Sequence, residues 1–406
     1  MKLTDEEQTM LEGKQGRAVR KAMEILTALG KIYGAEALIP VTSVQISGVS
    51  YDNLGEAGLQ FLSEMAEGGG KARVLATLNP AGMDVENWLA LGIPANFAEK
   101  QQRVIEAFKR MGVLATCSCT PYLFGNLPRY GEHIAWAESS AVCYANSVLG
   151  ARTNREGGPS ALAAALTGLT PAYGFHVEEY RQPGVTFNVE GDLVENCDFG
   201  ALGKVATQKM AGLAHKSVPY FQGVREASQE QLKSLCASIA TYGGLALFHM
   251  EGITPEAALY QPPVEEMDIT QSELQQAVQS MSNYSIEEVD FISLGCPHLS
   301  IREIARVAEL LANQQVRREF WITTSRPVKY LADRAGYTQT IEQAGAILAA
   351  DTCCVVAPIQ GRFKALATDS AKACFYASTK NKFGTVLLPF DQVVRLALTP
   401  VKAGTA

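Results

Sequence analysis

Three cysteines of this 406-residue chain stand in loops beside predicted strands, where side chains that do chemistry are often found. Cys119 lies in "TCSCTPY", Cys296 in "ISLGCPHLS" between a strand and a helix, and Cys353 in "AADTCCVVAPI" at the start of an apolar strand. Their spacing excludes a zinc finger and a ferredoxin, because both need close pairs of cysteines. If the loops converge, three thiolates could hold an iron whose open position acts as a Lewis acid. The alternative is three core cysteines, since free cysteine is among the most buried residue types.

The segment from Thr116 to Ser147 is denser in chemically active side chains than the rest of the chain. From this segment and the aromatic turn "PAYGFH" that follows it, the candidates for catalysis are Glu138, Ser139, Ser140 and His176. A histidine could polarise a substrate or donate a proton, and the same holds for His133 and His298, which neighbour candidate cysteines. As isolated residues, these histidines are equally open to a structural interpretation.

The stretch "NSVLGARTNREGGPSALAAALTG" predicts an anion site at the start of a helix. Two glycines form a turn, and Pro159 then opens the helix, where its missing N–H costs nothing. Free N–H groups, the positive end of the helix dipole and nearby arginines would suit a carboxylate or a phosphate. The candidate substrate-binding residues are Asn146, Arg152, Asn154, Arg155, Glu156, Gly157, Gly158 and Ser160. The alternative is that the arginines pair with Glu156 and Glu138, and that the glycines let a small-residue helix pack closely.

The elements that must position these residues alternate between apolar or β-branched runs and amphipathic segments, which predicts an α/β fold with largely parallel sheets. We expect the first helix to run from Thr4 to about Tyr33, and another to fill residues 88–111. Glycine-rich loops at 43–58 and 78–84 suit a close approach of backbone to a ligand. A segment rich in proline and charge near Tyr260 places a domain border between 1–265 and 266–400.

Composition limits the classes of partner. The net charge is −7 and the pI about 5.5, and no stripe of lysine and arginine marks a nucleic-acid binder. No run of about 18 apolar residues predicts a membrane span, and the first residues are unlike a signal peptide. Nine scattered cysteines do not resemble a secreted disulfide framework. We therefore expect a cytoplasmic protein that acts on a small molecule or binds another protein, with no nucleic acid and no membrane as partner.

Several motifs together resemble the large subunit of aconitase X, a branch of the aconitase superfamily. They are "VQISGVSYDNLGEAG", "LNPAGMD", "CTPYLFGNLPRYGEHIAWAESSAVCYANSVLGARTNREGGPSALAAALTG", "GCPHLS" and "DTCCVVAPI". The resemblance covers nearly the whole chain, and the central block of about 50 residues is its most specific part. It implies an aconitase-like fold, with several three-layer α/β/α domains around a central cleft.

The resemblance also implies an iron–sulfur hydro-lyase (dehydratase). By motif position, the cluster ligands fall on Cys119, Cys296 and Cys353, with Cys117 and Cys354 as neighbours that could replace two of them. The implied cofactor is a 4Fe-4S cluster with one open iron position, although nuclearity varies within the branch.

Members of the branch differ in substrate. One group dehydrates 5-phosphomevalonate to an anhydromevalonate 5-phosphate in a modified mevalonate pathway of isoprenoid biosynthesis, and another dehydrates cis-3-hydroxy-L-proline. The version "NREGGPSALAAALTG" resembles the first group. That agrees with the arginine-rich helix start, because the phosphorylated hydroxy acid carries two anionic groups whereas hydroxyproline carries one carboxylate and a cationic amine.

The resemblance further implies a heteromer, in which a small subunit supplies a swivelling domain and a serine proposed as the base. The first alternative is a hydroxyproline dehydratase on the same scaffold. The second is a non-catalytic binding subunit with metal-free cysteines, and a zinc-thiolate hydrolase is disfavoured because no histidine–carboxylate ligand set accompanies the cysteines.

Overall fold

The computed structural model describes residues 1–213 and 218–401. Within those ranges, no helix is both long enough and apolar enough to cross a membrane. Three parallel sheets organise the chain in succession, and a small antiparallel pair of strands accompanies the first of them.

The first region holds a three-stranded parallel sheet of order β3-β2-β4 and an antiparallel pair, β1 with β5. Its elements are α1 (Asp5–Leu11), α2 (Arg17–Ile32), β1 (Leu38–Pro40), β2 (Ser43–Ile46), α3 (Tyr51–Glu67), β3 (Leu75–Leu78), α4 (Ala95–Arg110), β4 (Ala135–Trp136), α5 (Ser139–Ser147), α6 (Gly158–Thr167) and β5 (Leu169–Pro171). Helix α6 is apolar on nearly all sides and packs against α2 and β2, as expected of a helix inside a core.

Two predicted helices are shorter in the structure. The first begins as predicted, with the Thr4 side chain in a capping box, but the chain breaks between α1 and α2. Gly13 and Gly16 have φ of 83° and 103° there, in the left-handed region that glycine adopts without strain. The helix predicted over 88–111 begins only at Ala95, after Pro94. The residue before a proline is disfavoured in the helical region, so the helix cannot extend back through that position.

The second region is a four-stranded parallel sheet of order β8-β7-β6-β9. Its elements are β6 (Pro183–Val189), α7 (Asn196–Met210), β7 (Val218–Gln222), α8 (Gln229–Tyr242), β8 (His249–Met250), β9 (Glu266–Ile269) and α9 (Gln271–Ser280). The domain border after residue 265 stays a prediction; β9, which begins at Glu266, pairs with β6 across it.

The third region is a five-stranded parallel sheet of order β12-β11-β10-β13-β14. Its elements are β10 (Phe291–Leu294), α10 (Ile301–Leu311), β11 (Glu319–Thr324), α11 (Arg326–Arg334), α12 (Tyr337–Gln343), β12 (Ile347–Ala350), β13 (Ala365–Thr368), α13 (Ala371–Tyr376), β14 (Gly384–Leu387) and α14 (Phe390–Ala397). Helices α10 and α14 bury one apolar face each against this sheet. The alternating order and the parallel pairing confirm the predicted α/β class.

Candidate active site

A cavity of about 280 Å³ lies where the carboxyl ends of two parallel sheets face each other. Ser47, Asn79 and Glu138 line it from the ends of β2, β3 and β4. Lys372 lines it from the opposite side, four residues after β13 ends. The carboxyl ends of parallel strands are the usual binding edge of an open α/β sheet, so this cavity is the candidate active site.

The three candidate cysteines come together beside this cavity. All three are buried, and the thiols of Cys119 and Cys296 each lie close enough to that of Cys353 for its charge to raise their pKa. Burial is the larger cause in both, and it takes the pKa of Cys119 to about 12. Burial also raises the pKa of Cys353. The backbone N–H groups of Val355 and Val356 partly offset this rise, because they favour the thiolate.

One prediction about the Cys353 segment is wrong. Strand β12 ends at Ala350, so Cys353 follows a strand instead of opening one. Asp351 turns the chain with φ of 67°, and the residues that follow form turns. Cys353 and Cys296 thus occupy equivalent places, each just beyond the carboxyl end of a strand in the same sheet.

The two neighbouring cysteines have other surroundings. Cys117 has no exposed surface, and the charges nearest its thiol are those of Asp351 and Arg326. The thiol of Cys354 is hydrogen-bonded to Ser293 of β10. Cys354 also lies beside Cys353, whose charge raises its pKa. What sets Cys119, Cys296 and Cys353 apart is the Lys372 ammonium, which favours the thiolate of each.

Arg326 connects the Cys353 segment to the first region. Its guanidinium lies 2.6 Å from Asp84 Oδ1 and also contacts Asp351 Oδ2, two residues before Cys353. Asp84 Oδ2 accepts a hydrogen bond of 2.8 Å from the backbone of Ala350. These contacts fasten the end of β12 to the loop after β3.

Glu138 and Lys372 form a buried ion pair in the lining of the cavity. Lys372 Nζ lies 2.6 Å from Glu138 Oε1, while Glu138 Oε2 accepts hydrogen bonds of 2.6 Å from Ser140 Oγ and from Ala141 N. Burial acts to raise the pKa of Glu138, but Lys372, together with the hydrogen bonds from Ser140 and Ala141 N, outweighs it, and the pKa is lowered. Burial acts to lower the pKa of Lys372, but Glu138 and the thiols of Cys296 and Cys119 raise it.

Two further cations, Arg155 and Lys380, line the cavity. Arg155 is exposed and has no hydrogen-bond or ion-pair partner among the residues that the structure describes. Lys380 Nζ lies 3.2 Å from Asp52 Oδ2 and 3.1 Å from the carbonyl of Val355. The cavity therefore presents one free guanidinium and two ammonium groups that are each paired with a carboxylate, which suits an anionic ligand.

The start of α6 supports the cavity through packing. Ser160 Oγ accepts a hydrogen bond of 3.0 Å from Gly157 N and donates one of 2.5 Å to Glu156 Oε2. A Cβ on Gly158 would meet the carbonyl oxygen of Ser47 at 2.8 Å. Burial raises the pKa of Glu156. The glycine thus lets α6 approach the loop that carries Ser47.

Two candidate asparagines lie away from the cavity lining. Asn146 is buried and bonds to the carbonyls of Thr153 and Ala246, while its Oδ1 accepts from Arg181. Asn154 donates 3.0 Å to the carbonyl of Tyr173. Both amides are used within the protein.

Arg152 and His176 also lie elsewhere. Arg152 pairs with Glu178, and Arg155 is unpaired in the described chain, so the predicted alternative of pairing with Glu156 and Glu138 is not what the structure has. His176 is buried, with its Nδ1 3.0 Å from that of His133. Of the candidates outside the cysteines, Glu138, Ser139 and Arg155 line the cavity.

Sequence reasoning missed Lys372 and Lys380. Neither lies in a recognisable motif, but Lys372 follows β13 much as Cys296 follows β10, so the rule that sites gather at carboxyl strand ends would have found it. The predicted glycine-rich loops do contribute Ser47, Asn53 and Asn79 to the lining.

An iron–sulfur cluster is compatible with the residues present. Within residues 1–213 and 218–401, no three His, Cys, Asp or Glu side chains surround one point closely enough to hold a single ion. A cluster is instead held by thiolates and tuned by hydrogen bonds to its sulfurs. Three buried thiols with N–H donors at two of them, including His298 N at 3.2 Å from Cys119 Sγ, match that donor chemistry.

Three domain models of one family match the chain in succession. They are the first domain of aconitase X at residues 1–179, the second at 183–279 and the third at 289–399. Among solved structures, the holo-form of aconitase X from Thermococcus kodakaraensis superposes with a TM-score of 0.91 at 42% identity, covering 98% of this chain and 100% of that chain. This likeness confirms the predicted aconitase-like architecture.

Two phosphomevalonate dehydratase large subunits are similar to the chain over almost their full length. The chain is 47% identical over 402 residues to the phosphomevalonate dehydratase large subunit of Methanocaldococcus jannaschii, covering 97% of this chain and 100% of that protein. It is 47% identical over 380 residues to the protein of the same name from Methanosarcina mazei, covering 93% and 92%. The cis-3-hydroxy-L-proline dehydratase of Hypocrea jecorina is more distant, at 33% identity over 391 residues that cover 93% of this chain and 65% of that protein.

Proposed function

This chain belongs to the aconitase X family, and we propose that it is the large subunit of a phosphomevalonate dehydratase, a hydro-lyase. The observation that carries this proposal is a cavity with three cations beside three buried thiols. Phosphomevalonate has a carboxylate and a phosphate, and both need a positive partner. The reaction would supply an anhydromevalonate 5-phosphate to a modified mevalonate pathway of isoprenoid biosynthesis.

Cys119, Cys296 and Cys353 are the proposed ligands of an iron–sulfur cluster, of the 4Fe-4S type with one open iron position. The Lys372 ammonium lies close enough to all three thiols to favour their thiolates, which supports this choice. Cys117 instead lies near Asp351 and Arg326, and Cys354 is hydrogen-bonded to Ser293. When bound, the cluster supplies a Lewis acid that draws charge from the hydroxyl group of the substrate as it leaves.

The side chains of the cavity would bind and orient the substrate. Arg155, unpaired in the described structure, is placed to bind one anionic group, and Lys380 is a second cation in the lining. Lys372 is kept in position by Glu138, and the Ser139 hydroxyl lies 3.4 Å from its ammonium. The ion pair with Lys372 helps to keep Glu138 ionised, so the role of Glu138 is to orient neighbouring groups and not to donate a proton.

The elimination breaks a C–H bond at the α carbon and the C–O bond at the β carbon, forms a C=C bond and releases water. A base must take the α proton, and no free carboxylate or neutral histidine of the described chain lines the cavity. The words "large subunit" in the names of the relatives imply a small partner subunit. We assign to that partner a swivelling domain and the serine that acts as the base, as the family resemblance implies. The cytoplasm is the proposed compartment, because it keeps nine unpaired cysteines reduced.

The test is turnover by the complex of both subunits, purified and reconstituted with iron and sulfide without oxygen. Conversion of 5-phosphomevalonate into a product that has lost one water, with iron and sulfide counted in the same sample, is expected. Dehydration of cis-3-hydroxy-L-proline instead would overturn the substrate and keep the chemistry. An inactive complex without iron would overturn both.

A further inference from the structure

His298 contacts all three segments that carry the proposed cluster ligands. It follows Cys296 by two residues, its backbone N–H donates to Cys119 Sγ at 3.2 Å, and its ring reaches Thr352, the residue before Cys353. The side chain has no exposed surface.

The hydrogen bonds of the ring select one tautomer. Nε2 lies 2.9 Å from the carbonyl oxygen of Thr352, which can only accept, so Nε2 carries the hydrogen. Nδ1 is then the acceptor for the hydroxyl of Ser118 at 3.0 Å. Ser118 directly precedes Cys119, and its Oγ accepts a further hydrogen bond of 3.2 Å from Thr120 N.

Lys233 of α8 also holds the segment of His298 in place. Lys233 donates 3.0 Å to the carbonyl of His298 and 2.5 Å to the carboxylate of Glu303. Every polar atom of His298 thus has a partner, and none of these partners lines the cavity. A proton donor to the substrate would need a free ring nitrogen that faces the cavity, and both ring nitrogens of His298 are already hydrogen-bonded within the protein.

We propose that His298 is a positioning residue that holds the Cys119, Cys296 and Cys353 segments together for the cluster, and that it does not exchange protons with the substrate. This inference rests on the proposed cluster. Residues that orient metal ligands without touching the metal commonly change metal affinity by about 10- to 100-fold when they are replaced.

Three substitutions separate the two ring contacts. His298→Phe removes both, His298→Gln keeps a donor near the place of Nε2, and His298→Asn keeps an acceptor near the place of Nδ1. In the two-subunit complex, we expect His298→Phe to release iron to a chelator about tenfold faster than the unaltered complex. The amide variants should fall between, with an altered EPR spectrum and midpoint potential of the reduced cluster.

His249→Phe is the matched control. His249 also has no exposed surface, and its Nε2 lies 2.7 Å from a backbone carbonyl, that of Arg181, in the second region. Its variant should lose thermal stability to a similar degree while keeping the iron content, release rate and spectrum of the unaltered complex. Equal iron release from the two phenylalanine variants would overturn the proposal, because the effect would then be general destabilisation.

Two further outcomes decide the remaining cases. If His298→Phe does not fold, Ser118→Ala removes only the donor to Nδ1 and should still hasten iron release; an unchanged rate would overturn the proposal. In His298→Gln and His298→Asn, turnover should fall in proportion to the iron that remains bound. A loss of turnover with full iron content would overturn the proposal, because it would indicate that His298 transfers a proton. An unaltered complex that binds no iron would overturn the cluster assignment and this inference with it.

Discussion

The ammonium of Lys372 lies 2.6 Å from Oε1 of Glu138, and both side chains are buried where the cavity meets the three thiols. The pair joins α13 of the third region to the start of α5 in the first. It therefore couples the two sheets whose ends form the cavity.

Removing one member of this pair should be strongly destabilising. Glu138→Gln leaves the Lys372 ammonium buried without a counter-ion, and breaking a buried pair on one side costs about 3–5 kcal/mol. The measurement is urea unfolding of the full chain at neutral pH. In the double variant Glu138→Gln/Lys372→Met, part of the loss should be recovered, because no unpaired charge remains.

Glu178→Gln is the control for that prediction. Glu178 also pairs with a cation, Arg152, but its carboxylate is 52% exposed, and exposed pairs contribute about 0–1 kcal/mol. Equal losses in Glu138→Gln and Glu178→Gln would contradict the burial argument.

Arg155→Ala should weaken substrate binding without affecting the fold. Arg155 has no partner in the described chain, so its removal leaves no buried group unsatisfied. A hydrogen bond to a charged group contributes about 1.5–3 kcal/mol, which corresponds to a rise in KM of roughly 10- to 150-fold. Steady-state kinetics with 5-phosphomevalonate would measure it.

Arg152→Ala provides the comparison for Arg155. Arg152 belongs to the same predicted anion site but contacts Glu178 outside the cavity lining. Its loss should leave KM within about twofold of the unaltered value, a change of under about 0.5 kcal/mol, as is usual for substitutions away from a site. A larger rise in KM for Arg152→Ala than for Arg155→Ala would show that Arg152 also binds the substrate, as expected from the sequence.

His176 should make the fold sensitive to acid. Burial, and next the charges of His133, Arg181 and Arg152, lower the pKa of His176 from 6.5 to about 3. Between these values the unfolded chain binds a proton that the folded chain does not, so stability falls as pH drops from about 6.5 towards 3.

The variant His176→Asn tests whether His176 causes this loss of stability at low pH. It removes the titrating group, so the free energy of unfolding, measured by urea at pH 7, 6, 5 and 4, should fall less steeply with decreasing pH than in the unaltered chain. His249, whose pKa is lowered mainly by burial to about 4, remains and preserves part of the slope. Identical slopes would show that His176 does not control this dependence.

Much of the site could be predicted because the chain marks it with residue types. Cys296 follows a strand and precedes a helix as expected, and "GGP" does open α6, although Cys353 follows β12 and does not open a strand. What the sequence could not give is which charges meet. Arg152 and Arg155 are three residues apart, yet one is paired with Glu178 and the other faces the cavity.

The missing information is mostly long-range. Lys372 is 234 residues from Glu138, and no local pattern predicts their contact. The same applies to Asn146, a predicted substrate-binding residue whose amide is instead bonded to Arg181 and to backbone carbonyls. Periodicity predicts the elements, whereas partner choice depends on how three separate sheets meet.

Gly158→Ala should disturb the cavity although alanine is a good helix former. The new Cβ would lie 2.8 Å from the carbonyl oxygen of Ser47, a backbone atom that cannot rotate away, so α6 or the Ser47 loop must shift. Overpacking of this kind costs about 1–3 kcal/mol, and a shifted loop should also raise KM, because Ser47 lines the cavity.

Gly157→Ala is the control: its Cβ would have no atom nearer than 3.8 Å, so only the loss of a favourable N-cap residue, about 1 kcal/mol or less, is expected. Urea unfolding and KM of both variants would decide, and a Gly158→Ala protein no worse than Gly157→Ala would mean that the helix start does not brace the loop.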